Sequence, residues 1–247
     1  MQRTQPLYRA LLLIPVLAAL FSAVPLRALE SDDAATREIL DRYLAYAQKQ
    51  PAELRGIQMD MDIDAKIPRL QKTGRMHALR SVSRLGQIAY EGLKFIGDST
   101  IKKELIGRYL QAENESKDVA QLAITPQNYK FKYKGMSAHD DHLVHVFQLS
   151  PKKKSVGLFK GELWLDAQTC LPVRESGRFV KSPSIFLKKI EFVREYEIRD
   201  GLSIPRHIES TVDTRLWGPA EMSINYSNFS RSEVQAAPVS STTQANQ

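Results

Sequence analysis

Between Gly56 and Pro68, apolar and polar residues alternate: Ile57, Met59, Met61 and Ile63 occupy one set of positions, and Gln58, Asp60, Asp62 and Asp64 the other. A period of two sends successive side chains to opposite faces, so this segment is predicted to be a half-buried strand. Just before it the period is helical. Ile39, Leu40, Tyr43, Leu44 and Ala47 form one stripe within Ser31 to Gln50, with Arg37, Glu38, Arg42 and Lys49 on the solvent side. Ser31 is the expected N-cap, Asp32 and Asp33 suit the positive helix end, and Pro51 is expected to follow the last turn.

Two more strands are predicted over Gly74 to Arg84 and Gln87 to Phe95, then a second helix from Ser99 to Asn114. In that helix Ile101, Leu105 and Tyr109 recur every four residues, joined by Ile106 and Leu110, with Asp98 or Ser99 as cap. Next, Tyr129, Phe131 and Tyr133 alternate with Lys130, Lys132 and Lys134, and HLVHVFQL (142–149) forms another strand. From residue 156 to 229 five strands follow in sequence: VGLFKGELWLD, LPVRESGRFV, LKKIEFVREYEIRD, LSIPRHIESTVDTR and AEMSINYSNF. Tight turns at Asp166–Pro172, Arg199–Gly201 and Trp217–Pro219 join them. Phe159, Leu163 and Leu165 share a face, as do Ile190, Phe192, Tyr196 and Ile198, and Met222, Ile224 and Tyr226. The fold class is therefore mainly β (α+β), a long antiparallel meander with one apolar face and two amphipathic helices to cover it. Helices of about 16 to 20 residues reach about 24 to 30 Å, which covers a broad curved sheet in part without sealing it. An apolar cavity under such a cover is the usual form of a lipid site, and a fully packed core is the alternative.

The start of the chain changes what this sheet is expected to meet. Arg3 and Arg9 precede an apolar run from Ala10 to Val24, interrupted by Pro15 and Ser22. That is the pattern of a secretory signal, read as residues 1–28 with cleavage after Ala28; an uncleaved N-terminal anchor is the alternative. Its removal takes three arginines and no acid, lowering the formal charge from +7 to +4. An exported protein of that charge is a poor partner for nucleic acid and a reasonable one for an anionic membrane surface. Cys170, the only cysteine, allows no internal disulfide and lies far from the position of a lipidated N-terminal cysteine. Residues 231–247 lack any core-forming pattern and are expected to be a disordered tail, which leaves one domain over 29–230.

Candidate chemistry is sparse. The chain has no G-x-S-x-G elbow, H-E-x-x-H helix or phosphate loop, so no catalytic residue, cofactor or enzymatic activity is assigned. Asp60, Asp62 and Asp64 lack the glycine turn and distant glutamate of a calcium loop and read as a solvated strand face. His139, Asp140, Asp141, His142 and His145 form the one histidine cluster. A strand would send His142 and His145 to opposite faces, so it reads as a polar loop, with adventitious zinc or copper as the metal alternative. Lys152, Lys153 and Lys154, with Lys160 close behind, read as a solvated turn. The sharper alternative is a docking spot for anionic lipid or for an acidic envelope partner.

The helix ILDRYLAYAQ, the alternating strand behind it and the mid-chain helix IKKELIGRYL carry a family resemblance, and the hairpin GELWLDAQTCLPVRESG adds most to it. With its W-hydrophobic-D-x-x-T-x-L-P turn, the chain over residues 35 to 230 resembles the LolA/LolB-like periplasmic lipoprotein-carrier superfamily, which includes RseB-like regulators. The resemblance implies an incomplete antiparallel β-barrel, a half-barrel whose open side is plugged by helices. It also implies carriage of acyl chains, or sensing of lipidated and misfolded envelope proteins. On this basis the expected activity is non-enzymatic binding of a lipid or lipoprotein acyl chain. Ile57, Met59, Met61 and Ile63 would line the sheet with Phe131 and Phe192, and Ile101, Leu105 and Tyr109 would form a movable plug. Methionine suits a wall that must adapt to flexible chains. The other reading is a regulatory or scaffold module that binds a protein partner and has no cavity. Arg55, Arg75, Arg80 and Arg84 are all positional candidates for the carriers' ligand-gating arginine, and no LolB-type lipidated cysteine is present.

Overall fold

The computed structural model describes residues 26–114, 119–140, 142–183 and 187–231. The predicted signal segment as far as residue 25, Asp141 and the predicted tail beyond residue 231 lie outside the described residues. The described residues form ten strands: β1 (Ile57–Ile67), β2 (Lys72–Val82), β3 (Ile88–Gly97), β4 (Tyr129–His139), β5 (His142–Pro151), β6 (Phe159–Asp166), β7 (Pro172–Phe179), β8 (Leu187–Arg199), β9 (Leu202–Thr214) and β10 (Gly218–Arg231). They form one antiparallel sheet in the order β3-β2-β1-β10-β9-β8-β7-β6-β5-β4. The first and last described strands therefore pair in mid-sheet, with Ile57 opposite Arg231 and Lys66 opposite Glu221. β3 and β4 are left as the two edges, so the sheet is not closed: it is an open half-barrel.

Alternation decides which face each side chain takes. Ile57, Met59, Met61, Ile63, Ala65 and Ile67 of β1 are all buried on the inner face. The aspartates between them face outward and pair across the strands. Asp62 meets His77 at 2.9 Å, Asp64 meets Arg75 at 2.6 Å, and Asp60 accepts from Asn228 at 2.6 Å. They are the solvated strand face expected of them.

Helix α1 (Leu26–Glu53) is longer than its sequence pattern predicts. Ser31 lies inside it and is not its N-cap, and Pro51 sits in the last turn instead of beyond it. A proline this close to the end forfeits one backbone bond while the turn still closes through Leu54 N–H to the Gln50 carbonyl at 3.0 Å. Gly56, at φ 75°, then reverses the chain into β1. The second predicted helix forms in two pieces, a π-helix over Ile101–Gly107 and α2 (Arg108–Asn114). Asp98 caps this segment: its Oδ1 accepts the Thr100 N–H at 2.7 Å, a bond that holds the carboxyl below its usual range. A short helix, α3 (Val119–Leu122), was not apparent from the periodicity.

The β6–β7 turn is built on Asp166. Its Oδ1 accepts the N–H groups of Gln168 and Thr169 at 3.1 and 2.7 Å and the Thr169 hydroxyl at 2.7 Å. This network frees Cys170 to take a φ of 60° and seals its side chain inside. Asp166→Ala is expected to destabilise the protein by about 1–2 kcal/mol, measured by urea unfolding, because three donors lose a charged acceptor. Asp166→Asn, which keeps the carbonyl oxygen, should recover part of the loss.

Candidate functional site: the interior of the half-barrel

Two helical covers divide the inner face into two apolar compartments. Over β1, β2 and β10, the π-helix inserts Ile101, Leu105 and Ile106 among Met61, Ile63, Met76, Ala78 and Ile224, with Tyr109 and Leu110 of α2 packed at the side. Over β4 to β8, α1 lays Tyr43 against Tyr129, Phe147, Leu163 and Phe192. A smaller cluster joins Ile57 and Met59 to Leu202 and Ile204 beneath Tyr46 of α1. Side-chain anchors fix α1 in place: Tyr46 Oη accepts the Ser203 N–H at 2.8 Å, and the Tyr43 hydroxyl donates to the Ile124 carbonyl at 3.1 Å.

The predicted lining and plug residues thus share one interior but not one compartment. Met61 and Ile63 face the π-helix, whereas Ile57 and Met59 face α1. Phe192 is buried and Phe131 half-buried under α1 on the other side. Ile101 and Leu105 are buried in the plug, and Tyr109 is partly buried at its edge, its hydroxyl 3.3 Å from that of Tyr226.

Charged pairs sit inside this apolar wall, and the sequence reading did not single them out as pairs. Arg80 of β2 donates to Glu113 of α2 at 3.0 and 2.6 Å, and the Tyr90 hydroxyl of β3 donates to the same carboxylate. Only 12 % of the Arg80 side chain and 20 % of Glu113 is exposed. At the centre of the sheet Arg194 of β8 lies directly opposite Glu175 of β7, with Nη1 and Oε2 3.3 Å apart. The Arg194 guanidinium also lies over the Phe192 ring, 4.7 Å from its centroid. Burial works against the Arg194 charge, but Tyr196 and Glu175 outweigh it and the guanidinium stays protonated. Burial also pushes the phenols of Tyr43, Tyr109, Tyr196 and Tyr226 upward, so all four keep their protons. A signal for Arg194 was present in the sequence. Counting by two from Ile190 through Phe192 to Tyr196 and Ile198 puts it in the middle of an apolar row.

Of the histidine cluster, His139 and His142 are register partners at the β4–β5 turn, and His145 lies further along β5. His139 packs edge-on against Trp164 with centroids 5.4 Å apart, the Tyr133 hydroxyl meets His145 Nδ1 at 2.9 Å, and His142 is exposed. Among the described residues no group of three His, Cys, Asp or Glu is placed to hold a metal. Burial pushes the Cys170 thiol up, away from reactivity. Lys152, Lys153 and Lys154 are exposed on a turn, with Lys152 donating to the Pro126 carbonyl. A concavity of about 730 Å³ is lined by residues of β1, β2, β3, β8, β9 and β10, Phe192 and Ser210 among them. The Lys66–Glu221 and Arg75–Asp64 pairs line it, which makes it a charged groove unsuited to an acyl chain.

No family model matches the sequence, and no curated protein matches it. Several solved structures are similar in fold. A DUF1329 family protein from Desulfovibrio piger shares 13 % identity, over 79 % of this chain and 92 % of that one, at a TM-score of 0.45. An outer membrane lipoprotein-sorting protein domain from Vibrio parahaemolyticus shares 14 %, over 81 % and 92 %, at 0.43. A LolA superfamily protein from Nitrosomonas europaea shares 16 %, over 80 % and 94 %, at 0.37.

Proposed function

We propose that this protein binds the acyl chain of a lipid or lipoprotein inside the half-barrel, outside the cytoplasm, without catalysing a reaction. The observation that carries this reading is the way the inner wall is covered. The apolar compartments of the inner face are covered by two separate helical elements, and the mid-chain one is a π-helix followed by a short helix. A π-helix packs its hydrogen bonds poorly and is frequent at functional sites. Displacing it uncovers Met61, Ile63, Met76 and Ile224, a wall with the size and flexibility to accept an alkyl chain. The family resemblance in the sequence implies the same role.

The test is native mass spectrometry of protein purified from a periplasmic extract, before and after solvent extraction. A discrete added mass of lipid size, lost on extraction, is the expected result. Leu105→Asp should abolish that added mass while the β-rich circular dichroism persists. Global unfolding of the variant would instead mark the helix as ordinary core.

A protein partner without a lipid ligand is the second reading. The β3 edge favours it, because Leu85, Leu93 and Ile96 there are 83, 55 and 79 % exposed on or beside an edge strand. A bare mass from gently handled protein would support this reading over the first.

A further inference from the structure

Arg80 and Arg194 both stand on the inner wall, yet they are held differently. Arg80 is enclosed by two bonds to a glutamate that a tyrosine also engages. Its Nε and Nη2 donors are both taken by Glu113, and only 12 % of its side chain is exposed. Arg194, deep in the half-barrel, makes one hydrogen bond among the described residues, at 3.3 Å through Nη1, and 39 % of its side chain remains open. Its Nε and Nη2 form the parallel donor edge that matches a carboxylate or phosphate. Phe192 beneath it and Glu175 beside it fix the plane of the guanidinium.

A second polar group points the same way. Ser210 lies on β9, opposite Phe192, on the inner face beside the Ile208–Arg194 register pair. Its hydroxyl is buried and has no hydrogen-bond partner among the described residues. A buried hydroxyl normally has one, because leaving it unmet carries a desolvation cost. Here a partly exposed arginine with unused donors and an unmet hydroxyl stand one register step apart on the inner wall, since Ser210 lies two residues from Ile208, the partner of Arg194.

We propose that Arg194, oriented by Glu175 and Phe192 and assisted by Ser210, anchors the anionic head group, a carboxylate or phosphate, of an amphiphile whose chain occupies the half-barrel. The anchor rests on the acyl-chain reading above and refines it by giving the ligand a charged end and an orientation. The head group sits at the centre of the sheet, and the chain runs beneath the π-helix towards β1 and β2. Glu175 holds one side of the guanidinium, so the anion takes the other.

The experiment is displacement of the uncharged probe N-phenyl-1-naphthylamine from the full chain, by oleate and by oleyl alcohol, at a mildly alkaline pH where the carboxylate is ionised. Wild type is expected to take oleate at about tenfold lower concentration than the alcohol, the strength of one charge-assisted contact. Arg194→Gln should lose that preference with its affinity for the alcohol kept, and Arg194→Lys should retain part of it. Should Arg194→Gln fail to fold, the wild-type preference and the lysine variant still decide. Equal displacement by both ligands in wild type, or a preference that survives in Arg194→Gln, overturns the anchor and leaves acyl-chain binding standing. No uptake of probe, oleate or alcohol would sink the acyl-chain reading and the anchor with it. Inorganic phosphate distinguishes the sources of the anion: competition with oleate but not with the alcohol shows that a free anion occupies the same site, and no competition shows that the tail is required.

Discussion

Arg80→Met is expected to lower the free energy of unfolding by about 3–5 kcal/mol, the usual cost of leaving one member of a buried ion pair alone. The methionine fills much of the space, so the loss is electrostatic. Glu113 is 20 % exposed and keeps the Tyr90 hydroxyl, but the cation that balanced its charge is gone. The double variant Arg80→Met/Glu113→Leu should recover most of that loss, because an apolar pair of similar volume avoids the desolvation of both charges. Urea unfolding of the two single variants and the double completes the cycle. Simple additivity of the single losses in the double would show that the two residues are not coupled. The pair ties α2 to the inner wall, so amide exchange in α2 should also quicken in Arg80→Met.

Gly161→Ala is expected to cost about 3 kcal/mol or more, at the upper end of what overpacking usually costs. Gly161 on β6 lies opposite Gly177 on β7, and a Cβ at Gly161 would fall 1.9 Å from the Ser176 carbonyl oxygen. That neighbour is backbone, so no side-chain rotation relieves the contact and the strands must separate. The Gly161 carbonyl also accepts from Gln148 Nε2 at 2.7 Å, and strand separation would strain that bond. Gly201→Ala provides a contrasting control. At Gly201 an added Cβ has open space around it, so its cost arises only from a φ of 74°. A smaller loss at Gly161 than at Gly201 would show that the β6–β7 approach is softer than its geometry implies.

Strand order along the chain was legible because each strand carries its own alternation and its own turn chemistry. Ile57 to Ile63 is buried and unburied in strict turn, as its pattern required. The stripe of Ile39, Leu40, Tyr43, Leu44 and Ala47 likewise packs on the sheet. The division of the interior was not legible. Which helix covers Met59 and which covers Met61 depends on the coiling of the sheet, a property of ten strands together. The split of the second helix was hidden too, because Ile101, Leu105 and Tyr109 give the same period of four whether the backbone bonds reach four residues or five. Arg80 and Glu113 are remote in sequence and each looks like an ordinary surface charge by itself. Only their approach across the interior gives them a common role.

The pairing of β1 with β10 determines when the interior comes into being. Asp60 and Asn228 meet although they are 168 positions apart in the chain. β1 to β3 can form through local hairpins, and so can β4 to β10, which gives two half-sheets joined by the segment that carries the π-helix. Joining them closes a very large loop, whose entropy must be met before the contact returns anything. The compartment beneath the π-helix takes Met61 and Met76 from one half-sheet and Ile224 from the other, so neither half contains it alone. The inner wall is thus completed only by the long-range step that joins the two half-sheets, and a chain lacking β10 would retain most of its hairpins but leave the π-helix a wall without Ala220 and Ile224.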